Sequence, residues 1–220
     1  MRVGVLGSGL MGGKLGTIFA RAGHEVVFSY ARSKEKLKGL ARDARGNARA
    51  GTPREAAQGS DTLLLAVHWS RIDDVLSQAG DLAGKAMVSC SLPMNEDDSG
   101  LVVAYPSSGA EETAHRVPEA RIVGAFNTVP SEVLFGVFAA RYNRTRPSLV
   151  YYGDDPDAKR VAAGLIRDVG FDSVDTGPLR AARYAEPFAL LVGQLAYEGG
   201  GGPEVAYRFE RFDASRSTKS

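Results

Sequence analysis

The chain is short of cysteine, of histidine and of any bias in charge, and each shortage removes a class of function. Cys90 is the single cysteine, so neither an intrachain disulfide nor a multi-cysteine metal centre can form. The three histidines, His24, His68 and His115, lie far apart without ligand spacing, so no metal is expected. Lys and Arg number 27 against 26 Asp and Glu, and a net charge of +1 argues against a dedicated nucleic-acid binder. No apolar run approaches the roughly 18 residues that a membrane span needs. The N-terminus enters a strand pattern at once, with no secretory leader. The expectation is a cytoplasmic protein with neither a nucleic-acid nor a membrane partner.

What remains is ordinary globular composition, 44% hydrophobic with 8% aromatic residues. At 220 residues the chain can hold one large α/β domain, or one with a small companion. The 26 glycines are a hint that backbone must approach something closely.

The first 30 residues carry the sharpest signal. Val3, Val5 and Leu6 read as a buried strand, and Gly7-Ser8-Gly9-Leu10-Met11-Gly12 follows as G-x-G-x-x-G. Leu15, Ile18, Phe19 and Ala22 then fall on one helical face, Gly23 closes that helix, and Val26-Val27-Phe28 resumes a strand. Strand, glycine turn, helix and strand in this order form the context that gives the motif meaning. Gly7 permits the tight turn, Gly9 lets a pyrophosphate approach, and Gly12 lets the helix pack on the strand. The helix N-terminus offers free N–H groups and positive potential to phosphates.

The end of the second strand selects the dinucleotide. An NAD site would carry Asp or Glu there for the ribose hydroxyls. This chain has Ser29-Tyr30-Ala31-Arg32-Ser33-Lys34, and no acid until Glu35. Arg32 offers a fork for a 2′-phosphate, with Ser29 and Ser33 as hydroxyl donors and Lys36 as added charge, which favours NADP(H).

Further strands are expected over 62–67, 86–89 and 121–126, with helices over 71–79 and 107–116 and an exposed acidic loop over 95–100. In an open parallel sheet the ligand sits at the carboxyl ends of the strands. Val67, His68, Trp69, Leu92, Pro93, Asn127 and Thr128 therefore share one rim with the glycine loop. A second unit reads as a strand at 149–153, a helix at 157–169 capped by Gly170, a strand at 171–175 and a long apolar helix from 179 to 197 interrupted at Pro187. The glycine run 199–202 reads equally as a ligand-apposed turn or a plain linker. His24 and Cys90 read as structural, and His115 as solvated.

The order of these motifs resembles the family NADP oxidoreductase, coenzyme F-420-dependent. The resemblance rests on the glycine loop, on Ala22-Gly23-His24-Glu25-Val26-Val27, on Ser29 to Arg32, on Ala66-Val67-His68-Trp69, on Ala125-Phe126-Asn127-Thr128-Val129-Pro130 and on 176–187. The first part also resembles the reductase domain of membrane-bound ferric reductases. The resemblance implies a Rossmann-type doubly wound parallel sheet over 1–128, a smaller C-terminal α/β domain over 129–212 and a flexible tail over 213–220. It implies a homodimer, with the long apolar C-terminal helix at its interface. It implies that Ser29, Arg32 and Lys36 hold the 2′-phosphate, that His68 and Trp69 flank the nicotinamide, and that Leu92, Pro93, Asn127 and Thr128 border the cleft. His68, Trp69 and Asn127 are then the candidate catalytic residues. The implied reaction is hydride transfer between NADP(H) and a small-molecule electron acceptor, the deazaflavin coenzyme or FAD/FMN. His68 and Asn127 stand where other residues occur in the family, at the second-substrate end. A flavin or ferric reductase, a small carbonyl or imine reductase with His68 or Tyr184 as proton donor, and a non-catalytic NADP(H)-binding sensor stay open as alternatives.

Overall fold

A computed structural model of the chain describes residues 1–212. The tail expected over 213–220 lies outside the described residues.

The backbone runs β1 (Arg2–Leu6), α1 (Leu10–Arg21), β2 (Glu25–Ser29), α2 (Lys34–Asp43), β3 (Ala48–Ala50), α3 (Pro53–Gln58), β4 (Thr62–Leu65), α4 (Ile72–Ala79) and β5 (Ala86–Ser89). It continues with α5 (Gly109–Arg116), β6 (Arg121–Ala125), α6 (Leu134–Ala139), β7 (Ser148–Gly153), α7 (Pro156–Val169), β8 (Asp172–Asp175) and α8 (Ala182–Gly193). The strands form one eight-stranded sheet in the order β3-β2-β1-β4-β5-β6-β7-β8.

Side chains alternate across that sheet, so each face buries its own core. Val3, Val5, Phe28, Leu64 and Val123 pack with α1, α2, α6 and α7 on one face. Leu63, Leu65, Met87, Ile122 and Tyr152 pack with α3, α4, α5 and α8 on the other. Helices on both faces of a mostly parallel sheet make this a Rossmann-like α/β fold. Reversal of strand order between β1 and β4 opens the crevice where such sheets take ligands.

The C-terminal residues continue the same sheet. β7 pairs antiparallel with β6 through Val123–Gly153, Gly124–Tyr152 and Ala125–Tyr151, and β8 returns parallel to β7. The sheet is therefore mixed rather than wholly parallel. The antiparallel step brings the amino end of β7, not its carboxyl end, to the ligand rim.

Local chemistry explains the boundaries. Asp155 accepts the N–H groups of Asp157 and Ala158 at the start of α7, and Gly170 ends that helix in the left-handed region at φ 114°. Thr52 and Glu55 form a reciprocal capping box on α3. The stretch expected as one helix from 179 to 197 is a 3₁₀ turn, then α8, then a π-helical turn over Gln194–Glu198. Pro187 sits exposed inside α8 without ending it. No helix among the described residues is long and apolar enough to cross a membrane.

Candidate active site at the nucleotide loop

The loop after β1 is built by three steric facts. Gly7 lies at φ +113°, and a Cβ there would stand 2.4 Å from the Ala66 carbonyl oxygen. A Cβ on Gly12 would stand 1.9 Å from the Gly7 oxygen, so α1 can close on the turn only with glycine at that position. A Cβ on Gly9 would meet no protein atom within 4 Å. That open space lies at the N-terminus of α1, where Gly9 caps the helix without a side-chain hydrogen bond. Among the described residues, the N–H groups of Gly9, Leu10, Met11 and Gly12 donate to no protein acceptor. Four free donors and the helix dipole facing an open cradle fit a pyrophosphate. Leu10 is exposed over that cradle and Met11 half-buried beside it.

Ser8 is buried, and its hydroxyl donates to the Ser29 carbonyl at 2.8 Å. Its backbone N–H donates to the Tyr30 carbonyl at 3.0 Å, which ties the loop to the end of β2. The structure corrects the expectation for Ser29. That residue is fully buried, and its hydroxyl donates inward to the Val5 carbonyl at 2.7 Å, so it braces β1 against β2 rather than facing a 2′-phosphate. Arg32, Ser33 and Lys36 do face solvent at that end. Ser33 caps α2 by accepting the Lys36 N–H at 3.2 Å. Neither Arg32 nor Lys36 has a carboxylate partner among the described residues, so both charges are available to an anion.

At the end of β4, Val67 lies half-buried against Gly7. His68 and Trp69 follow, each with protein contacts of its own. The His68 ring has Nδ1 on the Ser70 hydroxyl at 2.9 Å and Nε2 on the Asn95 carbonyl at 3.2 Å, with Asp98 at 3.4 Å. Both nitrogens are thereby engaged, Nδ1 within its own turn and Nε2 in holding the acidic loop over 95–100. The Trp69 ring is covered by the Arg116 guanidinium 4.6 Å from its centroid, and Arg116 is held in turn by Asp73 at 2.8 Å. Trp69 thus packs against Arg116 of α5.

Leu92 is half-buried at the end of β5, and Pro93 is buried against Gly109 at the start of α5. Thr128 is buried with its hydroxyl 2.7 Å from the Tyr207 phenol, which also accepts the Val150 N–H at 3.1 Å. Thr128 therefore anchors the C-terminal segment to β7 rather than lining an open cleft. Asn127 is 7% exposed; its Nδ2 donates to the Tyr152 phenol at 2.8 Å, and its Oδ1 has no partner.

Tyr152 lies in no motif, and Glu186 lies in the 176–187 segment without an expected role, yet they complete this end. Glu186 is buried, and its carboxylate accepts the Gly109 and Ala110 N–H groups at 2.8 and 2.9 Å, capping α5 from α8. Burial pushes its pKa up to about 7 in spite of those two donors. Burial likewise raises the Tyr152 phenol, with the nearby Glu186 charge adding to it, so this phenol stays protonated. Arg183 grips Glu111 at 2.7 Å and holds that carboxyl below its usual range.

The remaining expectations fall as follows. His24 pairs with Asp168 at 2.9 Å and packs edge-on to Phe19. Cys90 is buried, and burial pushes its thiol up to about 12, the environment of an inert side chain. His115 is exposed. Tyr105 and Tyr184 are 73% and 72% exposed, so neither fills a cleft. No cluster of metal-binding side chains occurs among the described residues.

Residues 2–93 match the family model described as NADP oxidoreductase, coenzyme F420-dependent. The chain is 29% identical over 189 residues to Metalloreductase STEAP3 of Rattus norvegicus, across 86% of this chain and 36% of that protein. It thus spans about a third of the length of that curated relative. Among solved structures, a proposed F420-dependent NADP-reductase from Arthrobacter sp. FB24 superposes with a TM-score of 0.83 at 23% identity, over 95% of this chain and 99% of that one. A hypothetical protein from Sinorhizobium meliloti, SMa0349, gives 0.73 at 25% identity over 96% of each chain. An imine reductase from Streptomyces aurantiacus gives 0.64 at 19% identity, over 89% of this chain and 61% of that one. The resemblance expected from the glycine loop and the turn after β2 is therefore present, and it relates the N-terminal unit to NADP-dependent oxidoreductases.

Proposed function

We propose that the chain is an NADPH-dependent oxidoreductase that moves a hydride between NADP(H) and a flavin-like acceptor, with the deazaflavin coenzyme as first choice. The observation that carries this is the nucleotide cradle: four unpaired N–H groups and the open space at Gly9, followed at the end of β2 by the unpaired Arg32 and no acid. An acid at that place would repel a 2′-phosphate, and a guanidinium fork attracts it. The matched family and the proposed F420-dependent neighbour support the choice of acceptor.

When bound, NADPH supplies the hydride. This chain's residues bind and orient. Gly9 to Gly12 hold the pyrophosphate with backbone N–H groups, and Arg32 and Lys36 hold the 2′-phosphate. Val67, Leu92 and Pro93 border the path from the loop toward β6. Hydride transfer between stacked rings needs distance and orientation more than acid–base help. With both His68 nitrogens engaged and Tyr184 turned to solvent, neither is set to donate a proton, which favours a flavin-like acceptor over a carbonyl or imine.

Anaerobic mixing of the protein with NADPH and, separately, the deazaflavin coenzyme, FMN, FAD, a ferric chelate and a cyclic imine, followed at 340 nm, tests this. Oxidation with the deazaflavin alone is the expected result. Oxidation with a flavin or ferric chelate alone moves the chain to the flavin or ferric reductases, and oxidation with the imine alone to the imine reductases. Binding without turnover by any acceptor favours the sensor reading. We also propose that the chain pairs with a second copy through α8 and the π-helical turn after it, where Tyr184, Leu191 and Leu195 stand exposed. Light scattering at micromolar concentration should give twice the chain mass.

A further inference from the structure

The carboxyl end of β6 bears two adjoining costs that folding alone does not explain. Phe126 is fully buried and lies at φ 65°, a left-handed conformation rare for a bulky side chain. The next residue, Asn127, leaves its Oδ1 buried without a partner, and a buried acceptor left unpaired costs on the order of 1–3 kcal/mol. Both residues stand at the ligand rim. Three strand spacings separate β1 from β6, so Asn127 lies roughly 14 Å across the sheet from the glycine loop. A dinucleotide with its pyrophosphate on α1 sends its nicotinamide half in that direction.

Tyr152 holds one end of the amide. Its Nδ2 is held by the Tyr152 phenol, and the Tyr152 ring lies flat over Gly124, where a Cβ would stand 2.0 Å from the ring. With Nδ2 on the phenol, the free end of the amide is its oxygen. The group that satisfies it must be a hydrogen-bond donor, and the carboxamide of a nicotinamide supplies one as an N–H.

We propose that Asn127 Oδ1 accepts the carboxamide N–H of the nicotinamide, and that Tyr152 is the positioning residue that keeps the amide oxygen turned toward it. This rests on NADP(H) binding at the glycine loop. It makes Asn127 a specificity-determining residue for the carboxamide and gives Tyr152, a residue of the C-terminal half, a part in cofactor recognition.

The test compares NADP⁺ with its 3-acetylpyridine analogue, which keeps the ring carbonyl and replaces the amide NH₂ by a methyl group. Dissociation constants for both are measured by calorimetry on the wild type, Asn127→Ala and Tyr152→Phe. One neutral hydrogen bond corresponds to about a tenfold ratio in favour of NADP⁺ in the wild type. The expected ratio falls to about one in Asn127→Ala and to an intermediate value in Tyr152→Phe. Tyr152→Phe loses a single oxygen and serves if the alanine variant fails to fold. A wild-type ratio near one, or a tenfold ratio surviving in both variants, overturns the proposal. Titration with oxidised FMN and deazaflavin separates the other N–H source. Weakened flavin binding with an unchanged analogue ratio would give the oxygen to the second substrate and also overturn it. Failure of the wild type to bind either dinucleotide would instead sink the NADP(H) reading, which the two ratios alone cannot do.

Discussion

The two ends of the ligand rim are made in opposite ways. At β1 the contacts on offer are backbone N–H groups, arranged by glycines within six consecutive residues. At β6 they are side chains, arranged by a buried network that joins Asn127 to Tyr152 and runs beside a cap from Glu186 to Gly109. The first end needs only a local turn. The second needs residues 25 to 77 positions apart in sequence to meet. Backbone recognition tolerates most changes except added bulk. Side-chain recognition fails by the loss of single atoms.

The glycine end gives the largest predicted effect. Gly12→Val drives a side chain into the Gly7 carbonyl and should destabilise the fold by about 3 kcal/mol or more in urea titration. The Cβ of Gly9→Val meets no protein atom within 4 Å, so its midpoint should stay near the wild type while NADPH titration shows no binding. Equal damage from both would erase the distinction between a structural and a ligand-facing glycine. The network end responds to pH instead. Glu186 ionises near 7 when folded and near 4.5 when unfolded, so the unfolded chain loses its proton first as pH rises. Stability from this group is therefore full below about 4.5 and lost progressively by about 7, a span worth up to about 3 kcal/mol. The difference in stability between the wild type and Glu186→Gln should change across that window and be flat above it.

Smaller effects sharpen the assignment of single residues. Arg32→Ala should weaken NADPH by ~1.5–3 kcal/mol and leave NADH nearly unchanged. Equal loss for both would remove the 2′-phosphate contact. His68→Ala should cost about 1 kcal/mol and speed amide exchange in residues 95–100, because its ring holds that loop. A hydride-transfer rate reduced a hundredfold, with exchange in that loop unchanged, would restore a catalytic role to this histidine.

The contrast also explains what could be read in advance. β1, α1 and β2 follow directly from hydrophobic spacing and the glycines, because local contacts decide them. β5 and α7 were similarly plain. The segments 37–61 and 129–148 gave no comparable pattern, although Thr52-Pro53-Arg54-Glu55 spells a capping box that would have placed α3. The antiparallel entry of β7 had no local sign, since pairing direction depends on the route of the connecting chain. Among site residues, the cradle and Arg32 were legible from order and charge. The inward turn of Ser29 was not, since a serine at a strand end gives no sign of which carbonyl it will reach. Tyr152 has no neighbour in sequence that shares its task, and Glu186, though inside the 176–187 segment, meets its partners 77 and 76 positions away.

The ring of Tyr152 across Gly124 has one more consequence, for how this sequence can drift. A side chain larger than hydrogen at 124 collides with the ring, and a smaller residue at 152 leaves both a hole above the strand and the Asn127 amide without its hold. Each position forbids change at the other while it is occupied as it is now. Relatives that keep the tyrosine should keep the glycine, and those that lose one should have exchanged both, with a different residue at 127.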